Sequence, residues 1–117
     1  MSDKEKDAVY LHHIHDAIEE IYAIVGERDV DAVMKNHQVY YSILYLMVVI
    51  GEASGKLSQE FKSEHIDIPW EKVKGMRNIL IHEYAGVSFE VVWKTVQERL
   101  PELKRVAVMG ISNSDES

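Results

Sequence analysis

Arg77, Asn78, His82 and Tyr84 fall within eight consecutive positions of the stretch Gly75-Met76-Arg77-Asn78-Ile79-Leu80-Ile81-His82-Glu83-Tyr84. They bring a permanent cation, an amide, an imidazole and a phenol close together. These groups suit phosphodiester cleavage. Histidine titrates near neutral pH and moves a proton. Arginine stays charged and grips phosphate through two parallel donors. An asparagine amide both donates to and accepts from a substrate oxygen.

Helix geometry constrains how they meet. Asn78 and His82 are four steps apart and share a face. Arg77 and Tyr84, seven steps apart, also share one. Arg77 and His82 are five steps apart, about 140° around an ideal helix. Either the helix loosens near His82, or a two-fold dimer sets one copy's motif against the other's. The plainer alternative is a structural histidine at a helix end, with Arg77 solvated or paired with an acid.

The elements that must position these groups are helical. Ser2 and Glu5 fit a capping box, and Tyr10, Ile14, Ile18, Ile21 and Val25 form one apolar stripe. Gly26 suits its end. A second helix is expected from about Asp31 to Leu57, with Val33, Tyr40, Leu44, Met47 and Ile50 on one face. Val39, Tyr41, Ile43, Leu46, Val48 and Val49 make its middle apolar nearly all round. Such a helix is buried on every side, which implies cover from a second copy or a central place in a monomer. Ser58 to Asp67 reads as a polar linker. Pro69 suits the first turn of a third helix carrying Trp70, Val73, Met76 and Leu80. Gly86 breaks it, Ser88 caps a fourth, and Pro101 restarts the chain for a short last helix. The expectation is all-α: an antiparallel bundle of four to five helices spanning residues 1–110, with 111–117 a flexible acidic tail.

Composition agrees. The chain has 117 residues, 46% hydrophobic and 28% charged, which is one globular domain. The apolar fraction excludes wholesale disorder. With no cysteine, disulfide scaffolds and cysteine nucleophiles are excluded. Six glycines and two prolines disfavour a loop-rich β-sandwich. The charge-free run from Gln38 to Gly51 is shorter than the roughly 20 apolar residues of a membrane span. Met1 to Asp7 lacks a signal peptide's apolar core, so a cytoplasmic protein is expected. The net charge of −7 argues against a general polyanion binder. It is uneven, however: residues 1–34 sum to −6, whereas 69–109 sum to +2. An anion is therefore expected near the C-terminal third, where Lys72, Lys74, Arg77, Lys94, Arg99, Lys104 and Arg105 supply attraction if they line one cleft.

The chain resembles the HEPN superfamily, specifically the HepT-like ribonuclease toxins encoded beside minimal nucleotidyltransferases. The resemblance is carried by Ile50-Gly51-Glu52-Ala53, Ile68-Pro69-Trp70, Met76 through Tyr84, Val92-Trp93 and Leu100-Pro101-Glu102-Leu103. The family motif is Arg, four to six residues, then His; here four intervene, and Tyr84 stands two after His82, as in the HepT-like branch. The resemblance implies a homodimeric helical bundle with both motif copies lining one cleft, and metal-independent RNA cleavage. His82 then serves as general base or acid and Arg77 holds the scissile phosphate. Asn78 fits the pattern. A 2′,3′-cyclic phosphate end is implied, as is silencing by transfer of AMP from ATP to Tyr84 by a partner nucleotidyltransferase, in a type VII-like toxin–antitoxin pair.

Other signals are set aside. His12–Asp16 and His15–Glu19 have zinc-compatible spacing, but a solvated acidic face explains them, and neither metal nor cofactor is expected. Glu52 either lines the cleft or merely flanks a small Gly-Ala helix contact. Trp70 and Trp93 read as core anchors. No glycine-rich phosphate loop is present. The rivals to a nuclease are a non-catalytic module that docks a nucleotidyltransferase or a nucleotide, and a purely structural helical dimer.

Overall fold

In a computed structural model, residues 2–82 and 89–115 are described, with side chains for 2–75, 77–78 and 90–113. Ser2 caps α1 (Asp3–Val25), its hydroxyl accepting from the Glu5 N–H at 3.2 Å. The helix ends where Gly26 takes φ 53°, a left-handed turn that favours glycine. Leu11, Ile14, Ile18 and Ile21 form its buried face.

The expected second helix is two helices. α2 (Val30–Lys35) and α3 (His37–Gly55) are separated by Asn36, whose backbone is extended and whose side-chain oxygen accepts from the Val39 N–H at 3.1 Å. An asparagine offers the backbone this local partner, so it restarts a helix better than it continues one. On α3, Ile43, Leu44, Leu46, Met47 and Ile50 are buried. Tyr40, Val48 and Val49 are half-buried, whereas Tyr41 and Tyr45 are 56% and 67% exposed. The chain's own helices thus cover most of α3 and leave a tyrosine strip open.

The expected linker from Ser58 to Asp67 holds a short helix, α4 (Gln59–Glu64). Its start is fixed from far away. The buried Asp7 carboxylate accepts from the Ser58 N–H at 2.7 Å and from the Ser58 hydroxyl at 2.6 Å, and the Ser58 oxygen accepts from the Phe61 N–H. Hydrogen bonds to a charged group contribute about 1.5–3 kcal/mol. Asp7→Ala is therefore expected to lower the unfolding free energy by about 2–3 kcal/mol in urea titration. Asp7→Asn, which keeps one acceptor, is expected to lose less.

Pro69 precedes α5 (Trp70–His82), and its carbonyl accepts from the Val73 N–H at 3.1 Å. The Trp70 indole donates to the carbonyls of Lys62 and His65, tying α5 to the preceding turn. α6 (Phe89–Glu98) leads through Arg99 into α7 (Leu100–Asp115), with Pro101 in its first turn. The residues expected to break and cap between α5 and α6, Gly86 and Ser88, lie outside the described residues. α7 runs past position 111, where a tail was expected, and Ile111 packs against the core.

Seven helices and no strand are present among the described residues. α3 packs between α1 and α5, α1 also packs on α7, and α6 on α7. The count exceeds four to five because of the break at Asn36 and the extra α4. The class is the expected one, an all-α bundle. No helix among the described residues is long and apolar enough to cross a membrane.

Candidate functional site

The site is built where α3 meets α5. Gly51 makes the approach possible. A Cβ placed there would sit 2.5 Å from the Arg77 Cβ and 3.2 Å from the Val73 carbonyl oxygen. Only a residue without a side chain lets the two backbones come this close.

That approach puts Glu52 beside Arg77. The Arg77 Nε donates to Glu52 Oε1 at 2.7 Å, and Nη2 lies 2.5 Å from the same oxygen. Nη1 donates to Asn78 Oδ1 at 2.7 Å. A guanidinium has five N–H donors. Two of these contacts are hydrogen bonds, through Nε and Nη1, so both terminal nitrogens keep N–H donors suited to a phosphate. The Arg77 side chain is 34% exposed, so the pair is not sealed in the core.

A cavity of about 170 Å³ opens at this point. Gly51, Glu52, Gly55 and Lys56 line it from the α3 side, and Lys74, Arg77 and Asn78 from α5. Three cations face one carboxylate there, so the local balance is positive in an acidic chain.

The seven basic residues of the C-terminal third do not line one cleft. Lys104 pairs with Glu19 at 2.5 Å, Arg105 with Asp67 at 3.3 Å and Arg99 with Glu102 at 3.2 Å. The hydrogen bond to Lys104 holds the Glu19 carboxyl below its ordinary range and raises the ammonium in turn. Lys72 lines a separate apolar groove beside Trp70. Lys74 and Arg77 line the cavity, and Lys56, outside that segment, joins them. Counting charge along the chain missed Lys56, because helix packing and not sequence distance brings it there.

Arg77 and Asn78 are thus together, with Glu52 as the orienting partner. In the sequence Glu52 stood as a residue that either lines the cleft or flanks a small Gly-Ala contact, and it lines the cavity beside Arg77. Its signal was its place next to Gly51, but reading it required the register between α3 and α5. The α5 backbone is helical through His82, so positions 77 and 82 lie about 140° apart around its axis. The His82 side chain and all of Tyr84 fall outside the described residues. On α1, His15 pairs with Asp16 and the His13 ring meets the edge of Tyr10.

A family model described as Ribonuclease HepT-like matches residues 14–109. The chain is 38% identical over 104 residues to a Thermococcus cleftensis protein named "Probable ribonuclease HepT", covering 89% of this chain and 93% of that one. It is 30% identical over 105 residues to a Methanocaldococcus jannaschii protein, covering 90% and 95%. It is 33% identical over 96 residues to a Caldanaerobacter subterraneus subsp. tengcongensis protein, covering 82% and 86%. Both of these carry provisional RNase names. No solved structure matches. The family model and the relatives agree, and the fold is all-helical: the chain belongs to the HepT-like ribonuclease family.

Proposed function

We propose that the protein is a metal-independent endoribonuclease, the toxin of a toxin–antitoxin pair, acting at a cleft shared by two copies of the chain. The observation that carries this reading is the Arg77 guanidinium, held on one edge by Glu52 and on Nη1 by Asn78, with a terminal N–H pair left at an open, positively balanced cavity.

The chemistry follows from the groups. The ribose 2′-oxygen attacks the neighbouring phosphorus while a base takes its proton. The bond from phosphorus to the 5′-oxygen breaks, and an acid returns a proton to that oxygen. His82 fills these proton-transfer roles, and Arg77 offsets the charge that develops on the phosphate oxygens. The products are a 2′,3′-cyclic phosphate and a 5′-hydroxyl. A continuous helix keeps positions 77 and 82 of one copy about 140° apart, so Arg77 of one copy works with His82 of the other. The open strip of Tyr41 and Tyr45 on α3 supports such an assembly. Exposed aromatics of this kind mark interaction surfaces.

Incubation of a single-stranded RNA with purified protein in EDTA tests the reading. Fragments ending in cyclic phosphate are expected; intact RNA together with tight binding of a nucleotidyltransferase would favour a non-catalytic docking module instead.

Tyr84 is the proposed point of control, through AMP transfer by a partner nucleotidyltransferase. An adenylyl group adds bulk and negative charge where RNA phosphate must enter. Co-expression with the partner is expected to add one or more AMP units at Tyr84, read by mass spectrometry of peptides. Tyr84→Phe is expected to stay unmodified and toxic. Modification at another residue would contradict this assignment.

A further inference from the structure

The cavity beside Arg77 holds more positive charge than one phosphate needs. Lys56 follows the last turn of α3, and Lys74 lies one turn before Arg77 on α5. Lys74 is laid against α3: its Cγ, Cδ and Cε lie 3.7, 3.8 and 3.9 Å from where a Cβ on Gly55 would stand. Apolar stems packed this way deliver the charged head to a fixed region. Among the described residues neither lysine is held in an ion pair, unlike Arg99, Lys104 and Arg105. The Lys56 ammonium lies 6.0 Å from the Tyr10 ring centre, a contact that leaves its charge uncompensated. Glu52 is the one carboxylate lining the cavity, and Arg77 already occupies it.

We infer that this cavity is a subsite for a second backbone phosphate of a single-stranded RNA, next to the phosphate gripped by Arg77, with Lys56 and Lys74 as its cations. The inference rests on the nuclease reading for the place of the first phosphate. About 170 Å³ accommodates a tetrahedral phosphate with some of its water, since a water takes about 30 Å³ of liquid. The subsite explains how a chain of net charge −7 holds a polyanion: attraction is concentrated at one small site that none of the acidic residues of the N-terminal third lines. It also makes recognition backbone-based, because phosphate contacts carry no base information.

The test is binding of a fluorescent 2′-O-methyl oligonucleotide, which has no free 2′-hydroxyl and is not cut, followed by anisotropy over a salt series. Each phosphate neutralised on a single strand contributes about 0.7 to the slope of log affinity against log salt. The Lys56→Gln/Lys74→Gln double variant, which removes the one phosphate site, is expected to lose about 0.7 from that slope and to bind roughly tenfold more weakly at low salt. The control Lys4→Gln/Lys6→Gln, with the same change in charge on α1, is expected to keep the wild-type slope. An unchanged slope in the first variant overturns the subsite, and so does an equal loss in the control. Failure of the wild type to bind the strand also overturns it. Competition by free AMP as strong as that by the strand would make this a mononucleotide pocket and overturn it too. Wild-type protein that binds the uncut strand through these lysines but cleaves no RNA would instead remove the nuclease reading and leave the subsite standing.

Discussion

Arg77→Ala is expected to slow RNA cleavage by about 10²–10³-fold, the usual cost of removing one donor aimed at developing charge. His82→Ala is expected to cost about 10²–10⁴-fold, the contribution of positioned proton transfer. Single-turnover cleavage of an end-labelled RNA measures both. The Arg77 loss comes with little change in stability. Its ion pair with Glu52 is 34% and 44% exposed on the two sides, and pairs of this kind contribute only about 0–1 kcal/mol. Removing the guanidinium also leaves the Glu52 carboxylate unopposed at the cavity, where it repels phosphate. Arg77→Lys keeps the charge but loses the fork that meets Glu52, Asn78 and a phosphate at once, so it is expected to recover little activity. Full activity in Arg77→Ala would mean that the cavity is not where RNA reacts.

Gly51→Ala is expected to damage both fold and site. The added methyl would stand 2.5 Å from the Arg77 Cβ and 3.2 Å from the Val73 carbonyl oxygen. No flexible side-chain end can swing away there, so α5 must shift on α3. Overpacking of this sort costs about 1–3 kcal/mol, visible as a lowered midpoint in urea unfolding. The shift also separates Arg77 from Glu52, so cleavage is expected to fall in the protein that remains folded. Gly75 is the matched control. A Cβ there meets nothing within 4 Å, and replacing a mid-helix glycine by alanine is expected to stabilise by about 0.5–1 kcal/mol. A destabilising Gly75→Ala with a neutral Gly51→Ala would contradict the packing described for α3 and α5.

What could be read from the chain alone was local. The stripe of α1, its cap at Ser2 and its end at Gly26 depend on neighbours within a few positions, and all three are present. The motif around Arg77 was visible because its residue types crowd into eight consecutive positions. What escaped was decided across the fold. α4 forms because Asp7 reaches Ser58 over 51 positions. Glu52 matters because α3 and α5 touch at Gly51, and periodicity carries no information on that register. The break at Asn36 is a different failure: the capping residue was in plain view, but the apolar run around it favoured one long helix. The basic residues misled because a charge count takes no account of the acids that Glu19, Asp67 and Glu102 bring to Lys104, Arg105 and Arg99.

The most direct measurement pairs two inactive proteins. Arg77→Ala and His82→Ala chains carrying different tags are co-expressed, and the species bearing both tags is isolated and given RNA in EDTA. A cleft that joins Arg77 of one copy to His82 of the other retains one intact pair in this mixed dimer, so cleavage should return although neither parent cuts. A doubly tagged species as inactive as its parents, or no doubly tagged species at all, would contradict a catalytic site shared between two chains.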